Sequence, residues 1–370
     1  MSGREANRDS TVLGGDGLTV SENLGESEWD AFVAEAGGRL AQTVGWGDVK
    51  GSQGWQPHRI GVRGDGRILA GAQILVRRYP PLGSIGYLDG GPLTVSADVS
   101  VSSSVLDAMD RACRRFRIRA LAVDPPPGHE SLVKTMMARG YGPAQVKTGL
   151  AATVQIDLTR EEDEIMARMK SKTRHNVRRG IRSGINVERL GREGIDTFMR
   201  ILGATALRQG FVPPERSYFA GLFERLAPLD RVHLFIADFE GEPMSAILLT
   251  AFGDRVVYKR GGWDGSHGDK RPNDVLHWRA IQWARSAGFA RYDFDGIEPD
   301  IARLVIEGGD LPRMENVTRF KLGFGGDVVL LPESLSYVPN RLVRFGYDRI
   351  YPMVRRSRMV KRTIKRLRAR

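Results

Sequence analysis

An internal repeat limits the folds open to this chain more than any other feature of the sequence. His58–Val76 and Val232–Ala251 share one pattern, in which two apolar runs flank an acidic, glycine-containing turn, and this pattern predicts a β-hairpin in each half. A strand that ends in a glycine pair follows in both copies, as GYLDGGP from Gly86 and VYKRGGW from Val257. The copies lie about 175 residues apart, so each half is expected to fold into the same small unit.

An amphipathic helix and one more strand complete each copy. The apolar spacing predicts helices at Leu106–Phe116 and Val275–Ala287, and strands at Ala120–Val123 and Arg291–Phe294. At 370 residues and 41% hydrophobic content the chain can bury two cores, because a single core stops growing near about 250 to 300 residues. We therefore expect an α/β fold with mixed sheets, in two tandem domains that resemble the acetyltransferase (GNAT) superfamily.

Composition and pattern divide the chain into five expected segments. They are a disordered leader at 1–22, a first GNAT-like domain at 23–155, a basic helical connector at 156–190, a second GNAT-like domain at 191–335 and a basic amphipathic tail at 336–370. The leader lacks the basic start and apolar stretch of a signal peptide. The connector carries an apolar helical stripe, and its basic face is either solvated or in contact with an anion. The residues of the stripe are Ile165, Met169, Val177 and Ile181.

The positive charge of the chain is concentrated at its C-terminal end. The net charge is +12, and residues 341–370 contribute +11 of it, from twelve Lys/Arg and one Asp. Such a segment suits tRNA phosphates or anionic lipid headgroups, unless it simply docks as a basic helix on the body of the protein. The cations predicted to make this contact are Arg355, Arg356, Lys361, Arg362, Lys365 and Arg366.

Residue types that are scarce in the sequence disfavour several classes of protein. The single cysteine, Cys113, gives no disulfide framework and no thiolate metal cluster, and the six histidines show no ligand spacing. No window approaches the run of about 18 apolar residues that a membrane span requires. We expect a cytoplasmic protein, favoured as a monomer, without metal or cofactor and with peripheral contact, if any, at the inner face of the cell membrane.

The loop before each repeated helix bears on the choice of donor. In acetyl-CoA enzymes of this fold, a glycine-rich turn at this place cradles the pyrophosphate of the cofactor with bare backbone N–H groups at the start of a helix. The two loops here are GGPLTVSADVS and GGWDGSHGDKRPND, and neither has that turn. Pro272 and Asn273 are typical of a helix start. The sequence therefore disfavours acetyl-CoA as a donor.

Five stretches of the chain, in order, resemble one family. They are QTVGWGDVK at Gln42–Lys50, MKSKTRHNVRRGIRSGINVE at Met169–Glu188, RPNDVLHWRAIQWARSAG at Arg271–Gly288, RYDFDGI at Arg291–Ile297 and RFKLGFGG at Arg319–Gly326. The set resembles the FemABX aminoacyltransferases of peptidoglycan cross-bridge synthesis. The resemblance implies twin GNAT-like domains and an aminoacyl-tRNA donor. Because no long heptad-patterned hairpin interrupts the second half, we expect the short form without a coiled-coil arm.

The resemblance also implies the reaction. An aminoacyl group would pass from charged tRNA to an amine of a peptidoglycan precursor, either lipid-linked or nucleotide-linked. The ester of an aminoacyl-tRNA is already activated, so the enzyme has to align the amine and to stabilise the oxyanion of the tetrahedral intermediate. Three alternatives stay open at this point, namely a natural-product acceptor, a CoA-dependent N-acyltransferase and a non-catalytic basic protein that binds RNA or membrane.

The resemblance assigns the donor chemistry to the second domain and the acceptor to the first. Lys321 in FKLGFGG matches a family lysine implicated in catalysis, and Phe320 beside it would pack the terminal adenosine of the tRNA. The alternative is that this glycine-bracketed stretch is a bulged strand with a solvated lysine. Lys50 matches a family lysine that contacts the diphosphate of the acceptor; without the resemblance it would be an ordinary surface residue.

Six further residues are weighed as acceptor contacts or as a base. Tyr258 lies on the strand that flanks the cleft in this fold, where it either hydrogen-bonds the acceptor or is a half-buried strand tyrosine. Asp293 and Asp295 alternate on one strand face, so both can approach one amine, unless they cap the following turn. The loosely matched acceptor contacts are Arg208, Arg216 and Tyr218.

Overall fold

The computed structural model describes residues 10–12, 17–145, 148–312, 316–340 and 344–345. The six cations predicted to contact tRNA or lipid lie outside the described residues. Of the predicted leader, the structure describes 10–12 and 17–22, and two short strands in this segment pair with each other. This part of the leader therefore differs from the expected disorder.

The elements follow one another along the chain with short connections. The strands are β1 Ser10–Val12, β2 Thr19–Ser21, β3 Gln56–Gly64, β4 Arg67–Tyr79, β5 Gly83–Asp89, β6 Leu93–Thr94, β7 Ile118–Asp124, β8 Gly142–Pro143, β9 Ala152–Asp157, β10 Asn186–Leu190, β11 Val232–Phe239, β12 Glu242–Phe252, β13 Arg255–Trp263, β14 Arg291–Gly296, β15 Asp327–Leu330 and β16 Leu335–Tyr337. The helices are α1 Glu26–Glu35, α2 Val44–Gly51, α3 Val99–Arg115, α4 Glu130–Ala138, α5 Glu162–Arg168, α6 Ser171–Arg182, α7 Ile195–Gln209, α8 Arg216–Leu226, α9 Pro272–Ser286, α10 Pro299–Glu307 and α11 Asn316–Gly323.

The first compact unit comprises residues 1–149 and 332–370. Its sheet has the order β1-β2-β3-β4-β5-β7-β16-β8, with β6 paired to β4. The pairing of β5 with β7 is parallel and the other pairings are antiparallel. Helix α3 packs on β3, β4 and β7, and its apolar face and these strands form the core of the unit.

The second unit comprises residues 150–331, and its sheet has the order β10-β11-β12-β13-β14-β9-β15. The pairing of β13 with β14 is parallel, whereas the other pairings are antiparallel. Helix α9 packs on β11 and β12 over a core that is rich in aromatic side chains. Four of the five stretches on which the family resemblance rests lie in this unit.

The repeat seen in the letters is confirmed in the structure. The series β3-β4-β5-α3-β7 corresponds to β11-β12-β13-α9-β14, with one parallel strand pair in the same place in each. Helix α3 begins at Val99, seven residues before the predicted start, because the Asp98 carboxylate accepts a hydrogen bond from the N–H of Ser100 at 2.8 Å and caps the helix there. The longest helix among the described residues is α3, with 17 residues, so no long helical hairpin appears in that part of the chain.

The predicted connector, residues 156–190, belongs to the second unit. It forms the end of β9, the helices α5 and α6, and the edge strand β10. The backbone is extended at Met169 and Lys170, so the two helices are separate. Three residues of the predicted apolar stripe are buried, whereas Ile181, on the same helix as the buried Val177, is 37% exposed.

The chain returns to the first sheet after it leaves the second unit. Strand β16 pairs with β7 and with β8, so residues after 331 complete a sheet that began before residue 150. The units therefore differ from the predicted domains, whose bounds are 155 and 335, since residues near these bounds pair with the strands of the other half. No helix among the described residues is long and apolar enough to cross a bilayer.

Candidate active site

The two parallel strand pairs differ in how far they run, and this difference locates a cleft. In the first unit β5 and β7 stay paired from Ser84 as far as Asp89 and Asp124, and the Tyr87 hydroxyl donates to the Asp124 carboxylate at 2.9 Å near that end. In the second unit β13 pairs with β14 from Arg255 to Val257, and the pairing then stops. Beyond this point the strands separate, which leaves a gap in the second sheet.

A β-bulge in β13 lies at the start of the gap. Leu249 is opposite Tyr258 and Leu248 is opposite Arg260, so Lys259 is the extra residue. Its ammonium lies 3.7 Å from the Asp295 carboxylate. Tyr258 is half-buried, and burial, together with the nearby charge of Asp295, raises the pKa of its phenol to about 12. The phenol therefore keeps its proton at neutral pH.

Lys321 reaches the gap from a helix. The stretch FKLGFGG forms the end of α11 and the turn after it, and the Lys321 side chain is 7% exposed. The alternative of a bulged strand with a solvated lysine is therefore wrong. The ammonium donates to the carbonyl of Gly296 at 2.6 Å, at the end of β14, and lies 5.8 Å from the ring centre of Tyr258.

The surroundings of Lys321 act on its charge in opposite directions. Burial lowers the pKa of the ammonium, which is the largest effect, whereas the charges of Asp295 and Asp293 favour the protonated form. An ammonium has three N–H donors, and the Gly296 carbonyl occupies one of them. The side chain thus places hydrogen-bond donors in a partly desolvated cleft.

The turn after α11 is held by the break between α5 and α6. The Lys170 N–H donates to the Gly323 carbonyl at 2.9 Å. Gly325 has a φ of +73°, and a Cβ built on it would lie 2.0 Å from the carbonyl oxygen of Arg168. Only glycine fits this position, because both the left-handed backbone and the close approach exclude a side chain. Two stretches of the family resemblance are therefore packed together here.

The two candidate carboxylates lie in different surroundings. Asp293 is 8% exposed, and its oxygens accept hydrogen bonds from the hydroxyl of Thr153, from Gln155 Nε2 at 2.9 Å and from the Asp295 N–H at 2.8 Å. Asp295 is half-buried and has a φ of +62°. The register of β14 on β9 shifts between Asp293 and Gly296, so the regular alternation ends between the carboxylates. Asp293 thus caps the turn, as the alternative interpretation expected.

A buried histidine lies beneath the cleft, and the sequence analysis did not single it out. His277 of α9 is 2% exposed, and its Nδ1 is 2.8 Å from the Tyr292 hydroxyl. Its ring meets those of Tyr258 and Phe320 edge to face, with centroids 4.7 Å and 5.4 Å away. Burial and the charge of Lys321 lower its pKa to about 3, so the imidazole is neutral. A single histidine within the apolar pattern of a helix did not predict that His277 would lie beneath the cleft.

Helix α6 covers the start of α9, where an acetyltransferase of this fold would bind its cofactor. A Cβ on Gly180 would lie 2.4 Å from Val275 Cγ2, so α6 packs directly on the first turn of α9. Asn176 donates to the buried carboxyl group of Asp274 at 3.3 Å, and burial raises the pKa of that group to about 6. A packed helix and an acidic group at this turn leave no cradle for a pyrophosphate.

The other predicted acceptor contacts of the second unit lie on α7 and α8. Arg208 donates to the carbonyl of Trp263, at the end of β13, and lies over the ring of that residue. Tyr218 is half-buried, and burial raises its pKa. Arg216 is exposed and forms an ion pair with Asp196 at 2.5 Å. Arg208 therefore lies at the end of β13, whereas Arg216 is paired with Asp196 on α7.

Lys50 lies in the first unit, near the end of α2. Its ammonium donates to Gln53 at 3.2 Å and lies 5.1 Å from the ring centre of Trp46. The stretch that contains it is anchored by Gln42, a fully buried amide that the sequence analysis did not select. Gln42 accepts the N–H of Gln73 at 2.8 Å and donates to the carbonyl of Asp89 at 2.7 Å. This helix start is therefore fixed on the strands of the first sheet.

The described residues offer no group of three or more His, Cys, Asp or Glu side chains arranged to hold a metal ion. Cys113 is buried in α3, and burial raises the pKa of its thiol to about 12. A protonated, enclosed thiol is a poor nucleophile. The polar side chains at the cleft are those of Lys321 and Lys259, the carboxylates of Asp293 and Asp295, and the phenol of Tyr258.

Solved structures show which fold this geometry belongs to. The chain superposes on a crystal structure of FemX with a TM-score of 0.77 at 20% sequence identity, over 87% of this chain and 98% of that one. It also superposes on a tandem GNAT protein from the clavulanic acid biosynthesis pathway, with a TM-score of 0.51 at 11% identity, over 84% and 94% of the two chains. The expectation of two tandem GNAT-like domains is confirmed.

Curated relatives and a family model show a similarity to the same group of proteins at the level of the sequence. The lipid II:glycine glycyltransferase of Staphylococcus haemolyticus is 28% identical over 60% of this chain, and the match spans 56% of that protein's length. The protein of the same name from Staphylococcus aureus is 23% identical over 75% of this chain and 85% of its own length. The model of the FemAB family matches residues 24–242 and 229–348. The chain therefore belongs to the FemAB family, which confirms the resemblance to FemABX proteins.

Proposed function

We propose that this FemAB-family protein is an aminoacyltransferase of peptidoglycan cross-bridge synthesis, which transfers an aminoacyl group from an aminoacyl-tRNA to an amine of a precursor. The names of the relatives support the cross-bridge reaction. The acceptor is lipid-linked or nucleotide-linked, and the reaction takes place in the cytoplasm, at the inner face of the membrane when the acceptor is lipid-linked. The observation that carries the proposal is the buried ammonium of Lys321 in the gap between β13 and β14.

The cleft supplies what this reaction requires. The nitrogen of the acceptor amine attacks the ester carbon of the donor, and the carbonyl oxygen becomes an oxyanion. The Lys321 ammonium stabilises that charge, and this interaction is strong because the site is partly desolvated. When the intermediate collapses, the bond to the ribose oxygen breaks and the new amide forms. The amine loses one proton, and the ribose oxygen gains one.

We assign three supporting roles around Lys321. Asp295, which is less enclosed than Asp293, takes the proton from the attacking amine. Tyr258, which keeps its proton, hydrogen-bonds the acceptor. Phe320, which is half-buried beside the lysine, packs against the terminal adenosine of the donor. In the first unit, Lys50 contacts the diphosphate of the acceptor as a point charge.

The exposed face of α6 supports a nucleic-acid donor. Lys172, Arg178, Arg179 and Arg182 are exposed there, and none of them forms an ion pair with another described residue. Some exposed arginines of the same unit are paired, as Arg168 is with Asp327 at 2.6 Å. The C-terminal end of α11 lies against the start of α6 through the Lys170–Gly323 hydrogen bond. A row of unpaired cations next to the catalytic helix suits a phosphate backbone.

Reversal of one charge on this face is expected to weaken donor binding without changing the chemical step. Arg178→Glu should raise the KM for aminoacyl-tRNA, leave kcat unchanged, and lower the slope of log affinity against log salt concentration by about 1. The control is Arg225→Glu on α8, where the arginine is also exposed. Steady-state kinetics and filter binding at several salt concentrations measure both quantities. Equal behaviour of the two variants would contradict a donor contact on α6.

A product assay tests the function itself. The protein is incubated with a mixture of charged tRNAs, or with acetyl-CoA, and with lipid-linked or nucleotide-linked precursor, and the precursor is analysed by mass spectrometry. We expect the mass of one amino-acid residue to be added from charged tRNA. With acetyl-CoA we expect no product and no binding heat, because α6 covers the start of α9. Acetylation of the precursor, or micromolar binding of acetyl-CoA, would refute the proposal.

A further inference from the structure

The hairpin between β4 and β5 exposes apolar side chains at its tip. Leu82 is 76% exposed, Tyr79 is 44% exposed and Ile85 is 39% exposed. Arg77 is directly opposite Ile85 in the antiparallel pair, and Tyr79 is opposite Gly83, so these side chains share one face of the hairpin. Large side chains this exposed, grouped on one turn, are unusual for a surface that only meets water.

Cations surround this apolar tip. Arg77, Arg78 and Arg119 are exposed, and none forms an ion pair with another described residue. The guanidinium of Arg77 lies 5.8 Å from the ring centre of Trp55 and 5.9 Å from that of Tyr79. No acidic residue occurs between residues 66 and 88 or between 111 and 123. We call this end of the hairpin, made of Arg77, Arg78, Tyr79, Leu82, Ile85 and Arg119, the hairpin patch; Arg78, opposite Ser84, lies on the other face of the strands.

Few backbone polar groups at the tip of the hairpin depend on water for a hydrogen bond. Pro80 and Pro81 have no N–H group, and the N–H of Leu82 donates to the carbonyl of Tyr79 at 2.7 Å. The carbonyl of Leu82 accepts a hydrogen bond from Arg119 Nε at 3.1 Å. Few backbone groups at the tip would therefore lose a hydrogen bond on transfer to a less polar medium, where each lost bond is costly.

We infer that the hairpin patch inserts into the interfacial region of an anionic phospholipid bilayer. Leu82 at the tip enters the acyl boundary, Tyr79 and Ile85 lie at the level of the headgroups, and the arginines bind the lipid phosphates. The arrangement of apolar tip, aromatic ring and cations along one hairpin follows the polarity of the bilayer interface. A phosphate backbone of RNA would use the arginines but would leave Leu82 and Ile85 without a favourable contact.

Insertion of the hairpin patch into a bilayer can be measured without any substrate of the proposed reaction. The full chain carries one cysteine, Cys113, which is buried and has a raised pKa. A cysteine introduced by Leu82→Cys can therefore be labelled selectively with an environment-sensitive fluorophore. Leu207→Cys on α7 is the matched control, since Leu207 is 87% exposed. Vesicles of phosphatidylcholine with phosphatidylglycerol are compared with vesicles of phosphatidylcholine alone and with bulk tRNA.

We expect a blue shift of the label at position 82 with the anionic vesicles, and no shift of the label at position 207. In the unlabelled chain, Leu82→Asp should lower the vesicle partition coefficient about tenfold, which corresponds to the burial of one leucine side chain. Leu207→Asp should leave it unchanged. The inference is overturned if the label at position 82 does not shift while the protein sediments with anionic vesicles, if neutral vesicles shift it equally, or if tRNA alone shifts it.

Discussion

Lys321→Met is expected to lower kcat for aminoacyl transfer by about 100- to 1,000-fold, the range seen when an oxyanion donor is removed. The substitution keeps the length of the side chain and removes its charge. Lys321 is 7% exposed, so its ammonium acts on the developing oxyanion with little screening by water. Because that charge exists only in the transition state, KM for donor and acceptor should change little. Rapid-quench kinetics with charged tRNA measure the chemical step.

Two other lysines serve as controls for this prediction. Lys259 is exposed on the bulge at the same cleft, with its ammonium 3.7 Å from Asp295, so Lys259→Met should lower kcat by less than about threefold, the effect of losing one exposed ion pair. Lys50→Met should raise KM for the acceptor and leave kcat nearly unchanged, because a diphosphate carries its charge in the ground state as well. Near-normal kcat in Lys321→Met, or a fall in kcat with Lys50→Met, would contradict the assignment of donor chemistry to the second unit.

Gly325→Ala is expected to destabilise the second unit by about 2 to 4 kcal/mol, since it combines a left-handed backbone with an overpacked contact. The φ of Gly325 is +73°, and the new Cβ would lie 2.0 Å from the carbonyl oxygen of Arg168. That oxygen belongs to the backbone and cannot rotate away as a flexible side chain would. The turn that positions α11, and with it Lys321, should therefore be strained. Denaturant unfolding followed by tryptophan fluorescence gives the change in stability.

Gly210 is the matched control for this substitution. It lies at the C-terminal end of α7 with a φ of +71°, and a Cβ there would meet nothing within 4 Å. Gly210→Ala should therefore cost only the backbone term, about 1 to 2 kcal/mol. The difference between the two variants isolates the close approach of α11 to the break between α5 and α6. If the two substitutions lower the free energy of unfolding equally, the turn after α11 is not packed tightly against the Arg168 carbonyl.

The repeat and the order of the elements could be predicted because they depend on residues that are close together in the sequence. Two apolar runs around a turn specify a hairpin from their own letters, and both hairpins formed where the spacing placed them. The start of α3 was missed, although Asp98 is a good capping residue, because the stretch after it, VSVSSS, is rich in serine and in β-branched residues with poor helix propensity. The partners of β9 and β16 could not be predicted, since pairing across more than a hundred residues leaves no local signal.

Of the candidate site, the sequence predicted only single residues that match a family motif. The sequence pointed to Lys321, but its burial depends on the Gly296 carbonyl and on the ring of Tyr258, which are distant in the chain. The glycines around Lys321 suggested a strand, whereas the structure uses Gly323 and Gly325 to end a helix against a backbone carbonyl. His277 gave no signal, because its contacts with Tyr292 and Phe320 arise only when the second sheet is assembled.

In the proposed reaction, Lys321 stabilises the oxyanion of aminoacyl transfer in the gap between β13 and β14. The most direct test compares two analogues of the 3′ end of the donor, one with a charged tetrahedral phosphonate in place of the ester and one with a planar amide. We predict that Lys321→Met weakens binding of the phosphonate by about 100-fold, the scale of one oxyanion donor, and binding of the amide by less than about threefold. If the variant binds both analogues as the unmodified protein does, or loses both equally, Lys321 does not act on the transition state of aminoacyl transfer.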